Sequence, residues 1–398
     1  MTALVTGDRL LDMLRRSRLV AEGRLAPFAA RPDLVADPAA LAAALVAAGL
    51  LTPFQAKLLL AGKYRGLVLG SYRILDQIGR GGMGTVYLAE HASLKRKVAV
   101  KVLAGHQATT DRGTAQFYRE AQAAAALDHP NIVKVYDVGR FGSVHYIAME
   151  YVEGQTLAQL LAANGPVPFD AAAEYVAQAA AGLQAASDRG FVHRDIKPEN
   201  LIVDRAGTLK ILDLGLAHEA AALGASGAEI DAAGTHGTPD YVAPEQALNA
   251  AVDIRTDIYS LGVTFYALLT GRPPFAGTTS QKLLQHQLNA APPFGDLPTP
   301  PPPELERVVA KMMAKRPADR YQQPAEVIDA LAPWLSASAL AATQTWSSEA
   351  TLGRPGTSVR HLEPPPPPRS RGWLLPATGV VLAALVVACV ATAVVLLG

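Results

Sequence analysis

The sequence predicts an α+β protein in which a lobe built on an antiparallel sheet precedes a helical lobe, with a helical module ahead of both and a transmembrane helix behind. Three observations carry that expectation. Short runs rich in β-branched and aromatic residues fill 71–152, helical periodicity dominates after residue 154, and Leu374–Leu397 is an unbroken uncharged apolar stretch. A chain of 398 residues is also long enough for more than one domain.

Residues 1–70 read as a helical module. Leu10, Leu11 and Leu14 share one helical face, Asp37-Pro38 and Thr52-Pro53 each pair an N-cap with proline at the first helical position, and Gly49 and Gly62 are stops. No titratable constellation occurs there, so this module is expected to pack or to dock a partner rather than to catalyse. In residues 71–335 the runs YRILDQIG, TVYLAE, KVAVKVL, IVKVYDVG and HYIAMEYV are strands. One helix over 114–127 interrupts them, with Phe117, Ala121 and Ala124 on one face, and long helices are expected near 171–187 and 257–269. Residues 336–372 lose periodicity, collect Ser, Thr and Pro, and contain five prolines at 364–368, which marks a linker. Residues 373–398 hold the apolar segment.

Composition narrows the function. Lys and Arg number 36 against 35 Asp and Glu, and a net charge of +1 makes no electrostatic case for nucleic acid as a partner. The single cysteine, Cys389, allows neither a disulfide framework nor a cysteine zinc site. The N-terminus lacks a basic start followed by an apolar core, so no secretory signal is expected.

The segment IGRGGMGTV sets Gly79, Gly81 and Gly84 in G-x-G-x-x-G spacing, which lets a backbone close over a phosphate. A dinucleotide-binding fold would need a helix next, whereas TVYLAE is β-prone, so a strand-loop-strand is expected. Lys101 is a lone cation in the apolar strand VAVKVL, and Glu120 in the following helix is the acid available to pair with it if the lysine points inward. Further on, FVHRDIKPENLIV gathers Asp195, Lys197 and Asn200 within one short loop.

In fixed order, the glycine loop, Val-Ala-Val-Lys, the helix with Glu120, HRD at 193–195, DLG at 213–215 and APE at 243–245 resemble the eukaryotic-like protein kinases, and among them the bacterial membrane-tethered Ser/Thr kinases. The resemblance covers about residues 71–335 and implies the bilobal protein kinase fold, with an antiparallel N-lobe and a helical C-lobe. It implies that Asp195 orients or deprotonates the attacking hydroxyl, that Lys197 neutralises charge on the moving phosphoryl group, and that Asn200 and Asp213 hold Mg²⁺. It places the adenine of ATP between Ile78, Val86 and Ala99 above and Ile202 below, with the backbone near Glu150 and Val152 at its polar edge and Met149 at the back. Lys197 and Thr238 imply Ser/Thr specificity, Glu245 and Arg320 a buried supporting pair, and Asp257 a brace for the catalytic loop.

Two positions depart from the family pattern. The magnesium motif reads Asp-Leu-Gly, with Leu214 in place of phenylalanine, and Ile230 and Ala232 stand where many relatives carry phosphorylatable threonines. Glu229 and Asp231 are then expected to supply fixed charge towards Arg194, with Thr235 as the remaining hydroxyl, and activity is expected without an upstream kinase. Two rivals to a protein kinase are a membrane-tethered pseudokinase scaffold and a small-molecule phosphotransferase. The complete set Lys101, Glu120, Asp195, Asn200 and Asp213 speaks against the first, and GTPDYVAPEQ, a peptide-receiving segment in the family, against the second.

As a helix, Leu374–Leu397 would extend roughly 36 Å, enough for one crossing of a bilayer core of about 30 Å. Arg369 and Arg371 precede it and Trp373 suits the interface, so the kinase is expected on the cytoplasmic side of the plasma or inner membrane. Gly379 and Ala383 form a small-xxx-small pair compatible with a homodimer. Thr343, Thr345, Ser347, Ser348 and Thr351 in the linker are candidate autophosphorylation sites, alongside protein substrates in trans.

Overall fold

The computed structural model describes residues 5–81, 84–104, 110–213, 239–248, 250–295, 297 and 299–337. Five helices open the chain: α1 (Gly7–Ser17), α2 (Glu22–Ala29), α3 (Pro32–Ala36), α4 (Pro38–Ala47) and α5 (Pro53–Leu60). Their boundaries follow local chemistry. Asp37 accepts from the amides of Ala39 and Ala40 to start α4, Thr52 and Gln55 form a capping box at α5, and Gly49 and Gly62 leave α4 and α5 in left-handed conformations. Leu10, Leu14, Leu25, Leu41, Leu45 and Leu59 lose all solvent exposure in a core of their own.

Next comes a six-stranded antiparallel sheet in the order β1-β2-β3-β4-β6-β5, formed by β1 (Val68–Leu69), β2 (Tyr72–Gly81), β3 (Gly84–His91), β4 (Lys97–Leu103), β5 (Val135–Phe141) and β6 (Val144–Glu150). Helix α6 (Asp111–Ala125) packs on one face of it through Phe117 and Ala121, which meet Ala99, Ile147 and Met149. The opposite face buries Ile74, Ala89, Val98, Val100 and Ala148, and Phe54 of α5 packs there.

The helical lobe contains α7 (Leu157–Asn164), α8 (Phe169–Ser187), α9 (Pro244–Ala247), α10 (Ile254–Thr270), α11 (Thr279–Leu288), α12 (Pro303–Met312) and α13 (Pro324–Leu331). Its core is the alanine-rich face of α8 against α10, which is buried almost all round. Alanines on α8 let the two helices approach closely, and Gly262 of α10 would drive a Cβ to within 2.7 Å of Met312.

Sequence periodicity places strands β2 to β4 and β6 and helices α6, α8 and α10 within a few residues, while two features of the sheets depart from it. The apolar run at 132–139 enters the N-lobe sheet only at Val135. Residues 131–133 instead bond the second sheet, Val133 N donating to Ile211 O at 3.0 Å and Ile211 N to Asn131 O at 2.8 Å. That second sheet, β7 (Gly154–Thr156), β8 (Leu201–Asp204) and β9 (Leu209–Ile211), was masked in the sequence because strands of three or four residues are too short to show alternation. It carries the catalytic loop. Among the described residues no helix is long and apolar enough to cross a membrane, and Leu374–Leu397 and the 336–372 linker, except residues 336 and 337, lie outside them.

Candidate active site

The loop between α8 and β8 is held from below by Asp257, in the first turn of α10. This side chain is fully buried, and its two oxygens accept the amides of His193 and Arg194, each at 2.7 Å. Burial pushes the Asp257 carboxyl up, and the two amides with the nearby Arg194 side chain oppose that rise. Bonds this short on both oxygens are those of an ionised carboxylate.

His193 ties the loop to the strand that follows. Its Nδ1 accepts from Asp195 N at 3.3 Å, and its Nε2 lies 2.9 Å from Leu212 O. A carbonyl only accepts, so Nε2 bears the hydrogen and the ring is the neutral Nε2–H tautomer. Leu212 N in turn donates to Asn200 O at 2.8 Å. Arg194 sits at φ +67, a left-handed conformation that costs a non-glycine residue on the order of 1 kcal/mol or more. It is fixed on both sides, its amide by Asp257 and its carbonyl by Gln246 Nε2 at 2.8 Å.

On this base the three polar groups of the loop converge. Lys197 Nζ lies 3.0 Å and 2.9 Å from the two oxygens of Asp195, and Asn200 Nδ2 donates to Asp195 Oδ2 at 2.9 Å and to its carbonyl at 2.8 Å. Both amide hydrogens of Asn200 are thus used on Asp195, which leaves Oδ1 as the atom Asn200 can offer a cation.

Across the cleft, Lys101 of β4 is buried and its Nζ lies 3.0 Å from Asp213 Oδ1. Desolvation opposes ionisation of Asp213, but its side chain stays 43% exposed and the Lys101 ammonium, aided by Lys197, holds the carboxyl below the usual range. Asp213 also adopts a left-handed φ of +46. The expected pairing of Lys101 with Glu120 rests on a side chain outside the described residues, as do Gly215, Glu229, Asp231, Thr235 and Thr238.

The apolar half of the site forms one cluster: Ala99, Met149 and Val152 are buried, with Val86, Ile202 and Leu212 packed against them. Ile78 stands apart at 46% exposed, on the open side of the glycine loop. Glu150 adds something its position in sequence did not reveal. Its carboxylate accepts from Lys210 Nζ of β9 at 3.1 Å and from Lys134 N at 3.3 Å, so it straps the large sheet to the small one.

The three glycines differ in what they need. A Cβ on Gly84 would lie 2.0 Å from Val102 O, a backbone atom of β4, so the fold itself demands glycine there. A Cβ on Gly81 would meet nothing within 4 Å and one on Gly79 only Val86 at ordinary contact distance. Gly81 thus has no steric requirement of its own within the fold.

The substrate side is anchored by Glu245 and Arg320. Arg320 donates to Glu245 Oε1 at 2.7 Å and Oε2 at 2.8 Å, and to the carbonyls of Ala314, Arg255 and Lys315, so all five of its N–H groups are matched. Burial would raise the Glu245 carboxyl, yet Arg320 and Thr256 hold it below its usual value. Removing one member of such a pair costs about 3–5 kcal/mol, so lost activity at either residue reports support rather than chemistry. Next to it, Lys282 pairs with Asp240 at 2.6 Å and His286 Nε2 donates to Asp240 O at 3.1 Å. Burial and the neighbouring Lys315 push His286 down to about 4, so it stays neutral.

Comparison with known proteins agrees with this geometry. Residues 72–331 match the protein kinase domain. The chain belongs to the protein kinase family. It is 39% identical over 256 residues to the serine/threonine-protein kinase PrkC of Bacillus subtilis, covering 64% of this chain and 39% of that protein. To the serine/threonine-protein kinase PknB of Mycobacterium leprae it is 40% identical over 267 residues, covering 64% of this chain and 42% of the relative. The match thus spans about two fifths of the length of these curated relatives. The crystal structure of the Mycobacterium tuberculosis PknI kinase domain superposes with a TM-score of 0.53 at 30% identity, covering 68% of this chain and 97% of that one.

The kinase-family chain therefore makes a contrast testable with two alanines. Gly84→Ala is expected to lower the melting temperature sharply. Gly81→Ala should melt like the wild type while weakening ATP binding about tenfold or more. Equal melting of the two variants in a thermal scan would contradict the steric reading.

Proposed function

We propose that this chain is a serine/threonine protein kinase that transfers the γ-phosphate of ATP to protein hydroxyls, its own linker included. The observation that carries the reading is the convergence of Asp195, Lys197 and Asn200 in one network with bonds of 2.8–3.0 Å, opposite the Lys101–Asp213 pair. A pseudokinase scaffold would have no need of that complete set.

The residues divide the work by charge. Asp195 accepts the hydroxyl proton of a bound Ser or Thr as its oxygen forms the new bond to the γ-phosphorus and the bond to the ADP oxygen breaks. Lys197, held against Asp195, faces the negative charge that spreads over the transferring group, and Lys101 grips the phosphates that stay behind. Asn200 Oδ1 and the Asp213 carboxylate supply two oxygen donors, a number suited to Mg²⁺, which takes one or two protein ligands and completes its shell with phosphates and water. Bound there, Mg²⁺ would neutralise phosphate charge. The apolar cluster of Ala99, Met149 and Val152 offers the adenine a dry slot with backbone polar groups at its edge.

Residues 374–397 anchor the enzyme in the plasma or inner membrane with the kinase on the cytoplasmic side, and a second copy pairs through Gly379 and Ala383. The support is compositional: an uncharged apolar run of spanning length preceded by Arg369, Arg371 and Trp373. The loop acids Glu229 and Asp231 stand in for activating phosphates, which gives basal activity without an upstream kinase.

Asp195→Asn is expected to remove phosphotransfer while leaving ATP affinity within about twofold, because this residue acts on the hydroxyl and not on the nucleotide. Transfer of labelled phosphate at the wild-type rate would overturn the assignment. For the anchor, cell fractionation should find the full chain with the membrane and its kinase domain shielded from protease added outside; recovery in the soluble fraction would contradict it.

A further inference from the structure

Strand β2 carries the glycine loop at its end, and it is not a regular strand. Its pairing with β3 shifts register between Ile74 and Asp76 and again between Gln77 and Gly79. Each shift leaves one residue without a cross-strand partner, first Leu75 and then Ile78, and such an extra residue bends the strand and increases its twist. The bend at Ile78 therefore lies at the root of the loop, with the bend at Leu75 just upstream.

A carbonyl turned out of a ladder needs another donor. At Leu75 the donor comes from the N-terminal helices: Thr52 Oγ1 donates to Leu75 O at 2.6 Å, and Gln55 Nε2 donates to Ile74 O at 2.5 Å. Both side chains also form the capping box of α5, Thr52 N donating to Gln55 Oε1 at 2.9 Å and Gln55 N to Thr52 Oγ1 at 3.2 Å. Gln55 is wholly buried, and its Nε2 reaches the Ile74 carbonyl only while α5 sits against β2. Phe54, between the two, packs on Tyr87 of β3 with ring centroids 6.2 Å apart. Tyr87 pairs with Gln77 across the ladder and its neighbour Val86 pairs with Gly79, so the contact reaches both sides of the second bend.

We propose that Thr52 and Gln55 are positioning residues for ATP binding. By fixing the Leu75 bulge they set the bend of β2, and with it the height of Gly79 and Gly81 over the cleft. Residues 5–67 thereby become part of the support of the nucleotide site and a lever on its affinity. A bundle that only accompanied the kinase would need an apolar contact, whereas here two polar side chains meet the carbonyls of Ile74 and Leu75, at the first shift of register in the strand. The inference rests on the reading of the chain as an ATP-dependent kinase.

The test uses the full chain with ATP and Mg²⁺, comparing wild type with Thr52→Val, Thr52→Ser and Gln55→Met. Thr52→Val keeps the shape and removes the hydroxyl; Thr52→Ser restores it. The expected result is an ATP Kd by calorimetry, and a KM for ATP, raised about tenfold in Thr52→Val and Gln55→Met, with kcat at saturating ATP and the KM for a protein substrate near wild type. Thr52→Ser should return both ATP constants to wild-type values, and hydrogen exchange at amides 76–81 should quicken in Thr52→Val alone of the two Thr52 variants. Lower melting temperatures with unchanged ATP constants and unchanged exchange at 76–81 would overturn the proposal, since a merely structural role reduces the amount of folded enzyme and not its KM. A wild-type chain that binds ATP without transferring phosphate would refute the kinase reading alone, because the Kd and exchange comparisons still decide the role of Thr52 and Gln55; a chain that does not bind ATP overturns both.

Discussion

The buried carboxylate of Asp257 is the constraint on which the site depends. It belongs to α10, the most buried of the described helices, and it reaches the backbone of the catalytic loop rather than any reacting group. Two amides held at 2.7 Å fix the peptide planes around His193 and Arg194. Those planes direct Asp195, and Asp195 in turn orients Lys197 and Asn200. Phosphoryl transfer leaves little covalent chemistry to the protein, so a rigid base under the loop is worth more than any additional functional group. The left-handed backbone at Arg194 persists because Asp257 and Gln246 hold both of its ends.

Support of the same kind recurs at the edges of the site. Arg320 satisfies Glu245 behind the substrate segment, Glu150 ties the two sheets through Lys210, and Thr52 with Gln55 meets the bulge behind the glycine loop. In each case a side chain from one element completes the hydrogen bonding of another element's backbone or charge. The reacting groups are few, and the groups that place them are spread over both lobes and the N-terminal helices.

Legibility in sequence follows from this division. Asp195, Lys197 and Asn200 lie within one loop, so their closeness is visible in sequence and the family resemblance supplies their roles, while KVAVKVL marks β4 as an apolar, β-branched run. Asp257, Glu245 and Arg320 were reachable through the family resemblance. The Lys101–Asp213 ion pair was not, because it joins residues far apart in the chain and leaves no periodic trace; the acid on the neighbouring helix was the nearer candidate. Gln246, Gln55 and the bulge at Leu75 were equally hidden, since a side chain bonding a distant carbonyl alters neither hydropathy nor spacing. The strands β7 to β9 are too short for alternation to show, although they frame the loop.

The central claim is that a buried acid touching only backbone governs the reaction, and Asp257→Asn tests it most directly. The amide retains one acceptor but turns an NH₂ group towards an N–H donor, so one end of the loop is released while volume is kept. The account predicts a fall in kcat of about 100-fold with ATP Kd close to wild type and a melting temperature lowered by the unpaired buried amide, at a cost of about 1–3 kcal/mol. A variant that keeps the wild-type kcat would contradict it.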